Sequence, residues 1–265
     1  MAKLKMARAR DKELSWKEIP QHQQGALDEA IREHWQDWLD TEAVEVLPLE
    51  ESLQLARTVP PERILPSRWA LKDANDTKRL PTNQLPLRAK ARLVGGGHKE
   101  PDSQKGLLKM GAPTAMRTSL LMILTLALQF GWADTVAIGD IKGVFLRGEE
   151  RRGVEDLYMR QPRGKPLPNL DGRQLLRVRK GVFGLPDAPR LWWQAFSAYL
   201  VNDAGFEQTS LDCAFFVRRD ATTGNPTAML ISHGDDTLPA HYGSPDSKNM
   251  EAALRDRFPL VPGSS

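Results

Sequence analysis

Near its carboxyl end the chain reads Leu230-Ile231-Ser232-His233-Gly234-Asp235-Asp236-Thr237-Leu238. Apolar, β-type residues flank a Gly-Asp pair, and that combination predicts a β-hairpin whose tip carries Asp235 and Asp236. Two like charges side by side repel, so such a tip gains from a counter-ion. A third carboxylate, Asp140, closes another β-type run, Thr135-Val136-Ala137-Ile138-Gly139-Asp140. Carboxylates at strand ends bind hard divalent cations through oxygen, and three brought together suffice for metal-assisted phosphoryl transfer. Asp140 and Asp235 are remote in sequence, so only a fold that joins the two strand ends makes such a centre. Taken singly, each aspartate is also ordinary turn chemistry.

The remaining pattern says what kind of fold could join them. Residues 1–24 mix charges (Lys3, Lys5, Arg8, Arg10, Asp11, Lys12, Glu13) with little apolar periodicity and read as a flexible charged extension. Leu27, Ile31, Trp35, Trp38 and Leu39 then recur at helical spacing on one face. Val59-Pro60-Pro61 breaks that pattern and leads through an extended segment to Trp69-Ala70-Leu71. Ala91-Arg92-Leu93-Val94 predicts a strand ended by Gly95-Gly96-Gly97. A buried helix is expected over residues 114–130, stopped by Gly131.

Short strands follow at Leu157-Tyr158-Met159 and Leu175-Leu176-Arg177-Val178. A helix over residues 188–203 buries Trp192, Phe196, Tyr199 and Leu200 and stops at Gly205. Cys213-Ala214-Phe215-Phe216-Val217 pairs with Ala228-Met229-Leu230-Ile231 across the turn-rich Thr222-Thr223-Gly224-Asn225-Pro226. A last helix covers residues 247–258. Helices alternate with hairpins rather than with regular βαβ repeats, which makes the class α+β.

With 265 residues, 40% hydrophobic and 27% charged, the chain can bury a sizeable core. Its single cysteine, Cys213, excludes a disulfide framework and a cysteine-based zinc cluster, and suits a reducing compartment. The amino terminus is charged and lacks the apolar core of a signal peptide. The most apolar stretch, residues 119–133, falls short of the roughly 20 residues that a membrane span needs. A net charge of +3 identifies no partner by itself. Its distribution is more telling: Lys72, Lys78, Arg79, Arg88, Lys90, Arg92 and Lys99 stand against only Asp73 and Asp76. Arg173, Arg177, Arg179 and Lys180 form a second cluster. Either cluster could be a nucleic-acid surface or a solvated face.

Several segments, in order, resemble copia-type retrotransposon reverse transcriptases. They are Lys90-Ala91-Arg92-Leu93-Val94 with Gly97, then Asp140-Ile141-Lys142-Gly143-Val144-Phe145-Leu146-Arg147-Gly148, then Tyr158-Met159-Arg160-Gln161-Pro162. Gly181-Val182-Phe183-Gly184-Leu185-Pro186-Asp187-Ala188-Pro189-Arg190-Leu191-Trp192, Gly205-Phe206 and Asp212-Cys213-Ala214-Phe215-Phe216 complete the series.

The resemblance implies a right-hand polymerase fold of fingers and palm over residues 25–260, with an antiparallel palm sheet packed on helices. Residues 261–265 would be a tail cut before a thumb, with RNase H and integrase regions of a Pol polyprotein missing. The implied reaction is templated addition of dNTPs to the 3′-hydroxyl of a DNA or tRNA primer on an RNA template. It uses two Mg2+ ions, with Mn2+ as a substitute. Asp140, Asp235 and Asp236 would hold the metal, helped by the backbone carbonyl of Ile141. Lys90 and Arg92 would contact the incoming triphosphate. Phe145 would exclude a 2′-hydroxyl, and Gly184 and Pro189 would line the nucleotide and template pocket. An intracellular setting is implied, in a cytoplasmic particle or the nucleus, with no secretion and no membrane partner.

Some positions depart from that family's pattern. His233-Gly234 precedes the paired aspartates, where Gly would loosen the hairpin. Val144 would crowd the nucleotide pocket, Asp187 would set a negative charge near the template, and Pro239 would weaken a central ladder. These departures favour an alternative: an inactive relict or truncated fragment that at most binds nucleic acid. A metallohydrolase using His233, Asp235, Asp236 and His241 is a further alternative, although strand alternation would scatter those groups.

Overall fold

The computed structural model describes residues 13–80 and 82–262. In chain order the first elements are helix α1 (Gln21–Asp40), strand β1 (Val44–Val46), helix α2 (Leu49–Thr58), and strands β2 (Ile64–Leu65), β3 (Ser67–Asp73) and β4 (Ala89–Gly95). Helices α3 (Pro101–Gln104) and α4 (Arg117–Gln129) follow, then strands β5 (Gly139–Ile141), β6 (Tyr158–Arg160) and β7 (Leu175–Val178). Next come helix α5 (Ala188–Asn202) and strands β8 (Phe206–Gln208), β9 (Phe215–Arg219), β10 (Pro226–His233) and β11 (Asp236–His241). Helix α6 (Pro245–Arg257) and strand β12 (Leu260–Pro262) end the described chain. The expected α+β class is what these elements make. They fall into two units, Met1–Leu108 with Arg151–Pro186, and Lys109–Glu150 with Asp187–Ser265.

In the first unit β3 and β4 form an antiparallel ribbon with Leu71 opposite Ala91. Period-2 alternation puts Leu71 and Ala91 on one face, where they pack with Leu27 and Ile31 of α1. Leu27, Ile31, Trp35 and Trp38 are the buried stripe of α1, as their spacing requires. Leu39 turns a further 100° from Trp38 and is 37% exposed, so it leaves that stripe. A second sheet has the order β1-β7-β6-β2, with only β2–β6 parallel.

Helix α2 had no reading in the sequence, because Ser52 is its one fully buried side chain and the apolar stripe is thin. Of the expected flexible extension, residues 1–12 lie outside the described residues. Residues 13–24 do not fit that expectation: Leu14 bridges Leu71, Ile19 is buried, and Trp16 packs beside them. Three apolar side chains among the charges are enough to seat the segment on the ribbon.

The second unit is a six-stranded antiparallel sheet of order β12-β5-β11-β10-β9-β8. Ala228, Leu230 and Phe216 point to one face, against Trp192, Phe196 and Leu200 of α5 and Leu254 of α6. Met229, Ile231, Phe215 and Ala240 point to the other, against Ile123 and Ala127 of α4. Helix α4 is not the fully buried helix its composition suggests, since Leu121 is 54% and Leu128 71% exposed. Its buried stripe is Ser119–Ile123–Ala127, with Leu126 partly buried against the same cluster. Residues 261–262, expected in a tail, pair in β12 with Asp140 and Gly139.

Pro239 does not break the ladder. The N–H of His241 goes to Thr135 Oγ1 and that of Tyr242 to the Thr227 carbonyl, so alternate donors leave opposite edges of β11. The imide nitrogen of Pro239 falls on the edge away from β10, beyond the last residue of β5 that pairs there. On that edge the Ala137 N–H donates to the Pro239 carbonyl at 3.3 Å and the proline cannot return the bond, while the β10–β11 ladder loses no donor.

Candidate active site

Asp140 and Asp236 meet because β5 lies beside β11. Asp140 stands directly opposite Asp236, and Gly139 opposite Thr237. The Ile141 N–H donates to the Asp235 carbonyl at 3.0 Å, so Asp140–Asp236 is the non-hydrogen-bonded pair next to it. In such a pair the side chains share a face with Cβ atoms about 4.5–5.5 Å apart. That face also carries Leu238 and Ile231, whereas Ile141 turns the other way, into the Trp192 core. A strand residue sends its N–H and C=O from the same edge, so the Ile141 carbonyl emerges at the carboxylate end. Asp235 and Asp236 are exposed, and Asp140 is half-buried.

The hairpin tip is a two-residue loop, Gly234-Asp235, closed by the His233–Asp236 pair. Gly234 has φ +69°, and Asp235 is not among the positive-φ residues, which is the pattern of a type II′ turn. Glycine is thus the residue the turn demands. The Trp192 indole N–H donates to the Gly234 carbonyl at 3.1 Å.

Phe145 lies in a short 3-10 turn (Val144–Arg147) that follows Gly143 in the left-handed region, and it packs against the Trp192 cluster. Val144 is 3% exposed and belongs to that core, so it does not crowd a surface pocket. Pro189 occupies the first turn of α5. Asp187 is buried at the start of the same helix rather than displayed to a partner.

Three oxygen donors from adjacent strands are the right chemistry for a hard divalent cation. Among the described residues, however, no three His, Cys, Asp or Glu side chains are drawn together tightly enough to hold a metal ion. Close carboxylates repel while no cation lies between them. His241 does not join them. It is buried at the far end of the β10–β11 ladder, with Nδ1 accepting from the Gly243 N–H and Nε2 against Glu251. The set His233, Asp235, Asp236 and His241 is therefore not a centre.

Lys90, Arg92 and Gly184 belong to the first unit. Lys72 lies opposite Lys90, and Ala70 opposite Arg92, so alternation raises Arg68, Lys72, Lys90 and Arg92 on the ribbon face away from α1. They line a cavity of ≈ 220 Å³ with Glu13, Phe183 and Gly184. The Arg92 guanidinium sits 5.8 Å from the Phe183 ring centre, and Arg68 Nη1 meets Glu13 at 2.5 Å.

Gly184, at φ +94°, lets the backbone close in: a Cβ there would come within 2.3 Å of the Gly95 carbonyl. Arg68 was missed in the sequence, although its parity with Lys72 marks it. The second basic cluster is largely satisfied within the protein. Arg173 pairs with Asp171, Arg177 and Arg179 with Glu45, and Lys180 donates to the Thr41 carbonyl.

Residues 54–258 match the family model described as "Reverse transcriptase (RNA-dependent DNA polymerase)". The chain is 28% identical over 204 residues to the Retrovirus-related Pol polyprotein from transposon RE2 of Arabidopsis thaliana, covering 75% of this chain and 13% of that protein. It is 28% identical over 201 residues to the corresponding polyprotein from transposon TNT 1-94 of Nicotiana tabacum, covering 74% and 14%. Against that from transposon RE1 of Arabidopsis thaliana it is 29% identical over 180 residues, covering 66% and 11%. The matched segment thus spans a small part of each relative's length. No helix among the described residues is long and apolar enough to cross a membrane.

Proposed function

The chain belongs to the reverse transcriptase (RNA-dependent DNA polymerase) family, of the copia type its motifs resemble, and on that premise we propose that it adds deoxynucleotides to a primer 3′ end on an RNA template. The observation that carries this reading is the pairing of Asp140 with Asp236 beside Asp235. In this reading the six-stranded sheet is the palm and the β3–β4 ribbon belongs to the fingers.

Asp140, Asp235, Asp236 and the Ile141 carbonyl would hold two Mg2+ ions, for which Mn2+ could substitute. When bound, those ions supply a lowered pKa for the primer hydroxyl and charge neutralisation at the departing pyrophosphate. Lys90 and Arg92 bind the triphosphate through charge-assisted hydrogen bonds, supported by Arg68 and Lys72 on the same face. Phe145 bars a 2′-hydroxyl by its bulk, and Gly184 and Pro189 each match the family's segment for the nucleotide and template. RNA template, DNA or tRNA primer and dNTPs are the partners. RNase H and integrase regions would join that list if the chain is part of a Pol polyprotein, which is how the relatives are described.

Primer extension on an RNA template, with deoxy- and ribonucleotides in parallel, tests the reading. Extension should require Mg2+ or Mn2+ and use only deoxynucleotides. Asp235→Asn should abolish it without unfolding the chain, and Phe145→Ala should admit ribonucleotides. Extension undiminished in Asp235→Asn would end the proposal.

A further inference from the structure

Asp235 sits between two peptide groups that are both tied from outside the hairpin. The carbonyl of Gly234, on the peptide before it, accepts the Trp192 indole N–H at 3.1 Å. The carbonyl of Asp235 itself, on the peptide after it, accepts the Ile141 N–H at 3.0 Å. Fixing the planes on both sides of one Cα fixes its φ and ψ, and with them the direction of its Cβ. A two-residue loop with an exposed, positive-φ glycine would otherwise rock about its closing pair.

The donor is well suited to that task. Trp192 is 2% exposed and held on several sides: its ring stacks on Phe196 at 5.0 Å and meets Phe258 edge-on at 5.2 Å. Its backbone also leaves no room beside Gly148, where a Cβ would lie 2.8 Å from the Trp192 nitrogen. A buried indole N–H needs an acceptor, and here that acceptor is the turn.

We propose that Trp192 is a positioning residue, whose N–H, reaching the turn from the sheet's opposite face, aims the Asp235 carboxylate at the Asp140–Asp236 pair. The catalytic half of this inference rests on the polymerase reading, and the structural half does not.

Two variants of the full chain test it. Trp192→Phe removes the N–H and part of the ring. Replacement of Trp192 by 3-benzothienylalanine keeps the bicyclic shape and removes the donor alone. In both, the Ile141 amide should exchange with deuterium at least about fivefold faster, as loss of a hydrogen bond of typical net strength allows. The Met229 amide, inside the β10 ladder, should keep its wild-type rate and so report that the sheet is intact. In primer extension both variants should lose about tenfold in kcat, with the dNTP KM within twofold of wild type. An Ile141 exchange rate unchanged in the benzothienyl variant would overturn the proposal, as would equal acceleration at Met229. A wild-type chain that extended no primer would sink the polymerase reading alone, because the exchange measurement would still decide whether Trp192 holds the turn.

Discussion

Replacing Asp236 by Asn should make the protein more stable without magnesium and less stable with it. Asp236 and Asp140 face each other as a non-hydrogen-bonded pair, with carboxylates roughly 5–6 Å apart. At an effective dielectric constant of about 40–80, two unit charges at that distance repel by about 0.8–1.5 kcal/mol. A Debye length of about 8 Å in physiological salt reduces this to about half. Asp236→Asn should therefore gain roughly 0.5 kcal/mol in the metal-free state, a rise of about 1–2 °C in melting temperature for a chain of this size.

On the proposed reading magnesium should reverse the order. A cation present at about ten times its dissociation constant would stabilise the wild type by RT ln 11, about 1.4 kcal/mol, and the variant should bind it far more weakly. Scanning calorimetry with and without Mg2+ should show the two melting curves exchanging places. Extension by the variant should fall about a hundredfold or more, since loss of Lewis-acid stabilisation is worth several kcal/mol. A variant less stable by over about 1 kcal/mol without magnesium would refute the argument, by showing that Asp236 serves the fold rather than a cation.

Three further outcomes follow from particular contacts. Gly234→Ala has open space around its Cβ but keeps φ +69°, so it should cost about 1–2 kcal/mol from backbone strain, measurable by urea unfolding. Asp102→Ala strands the Arg63 guanidinium, which is 5% exposed and bound at 2.6 and 2.7 Å by that carboxylate. Because Glu155 also touches Arg63, the loss should lie near about 3 kcal/mol, the low end for a broken buried pair.

Asp212 is raised by burial, but hydrogen bonds from Ser119, the Met116 N–H and the Ala214 N–H outweigh this and hold it below its ordinary value. The stability it contributes is thus present above about pH 4, its unfolded pKa, and is lost as acidification passes through the lower folded value. Asp212→Asn should flatten that acid limb of the melting-temperature profile, and an unchanged limb would contradict the assignment.

Local chemistry alone determined a good deal. Helical spacing marked the buried stripe of α1, the Gly-Asp tip marked the β10–β11 hairpin, and ordered motifs carried the family resemblance, because each depends on residues close together in the chain. Where one apolar run serves two surfaces, spacing gave no answer. Helix α4 looked wholly buried because composition cannot say which leucines meet the sheet, and α2 escaped notice because its stripe is thin. Val144 and Asp187 looked like pocket residues until the backbone turned them into the interior.

The meeting of Asp140 with Asp236 was beyond sequence. Asp140 faces Asp236 only because β5 takes the edge of β11 in one register, and a slip of one residue would send the carboxylates to opposite faces. The same register hands the Ile141 N–H to Asp235, while α5, packed beneath, brings the Trp192 indole to Gly234. Such pairings are made between segments remote along the chain, by hydrogen-bond geometry and core packing, and the tertiary structure alone decides them.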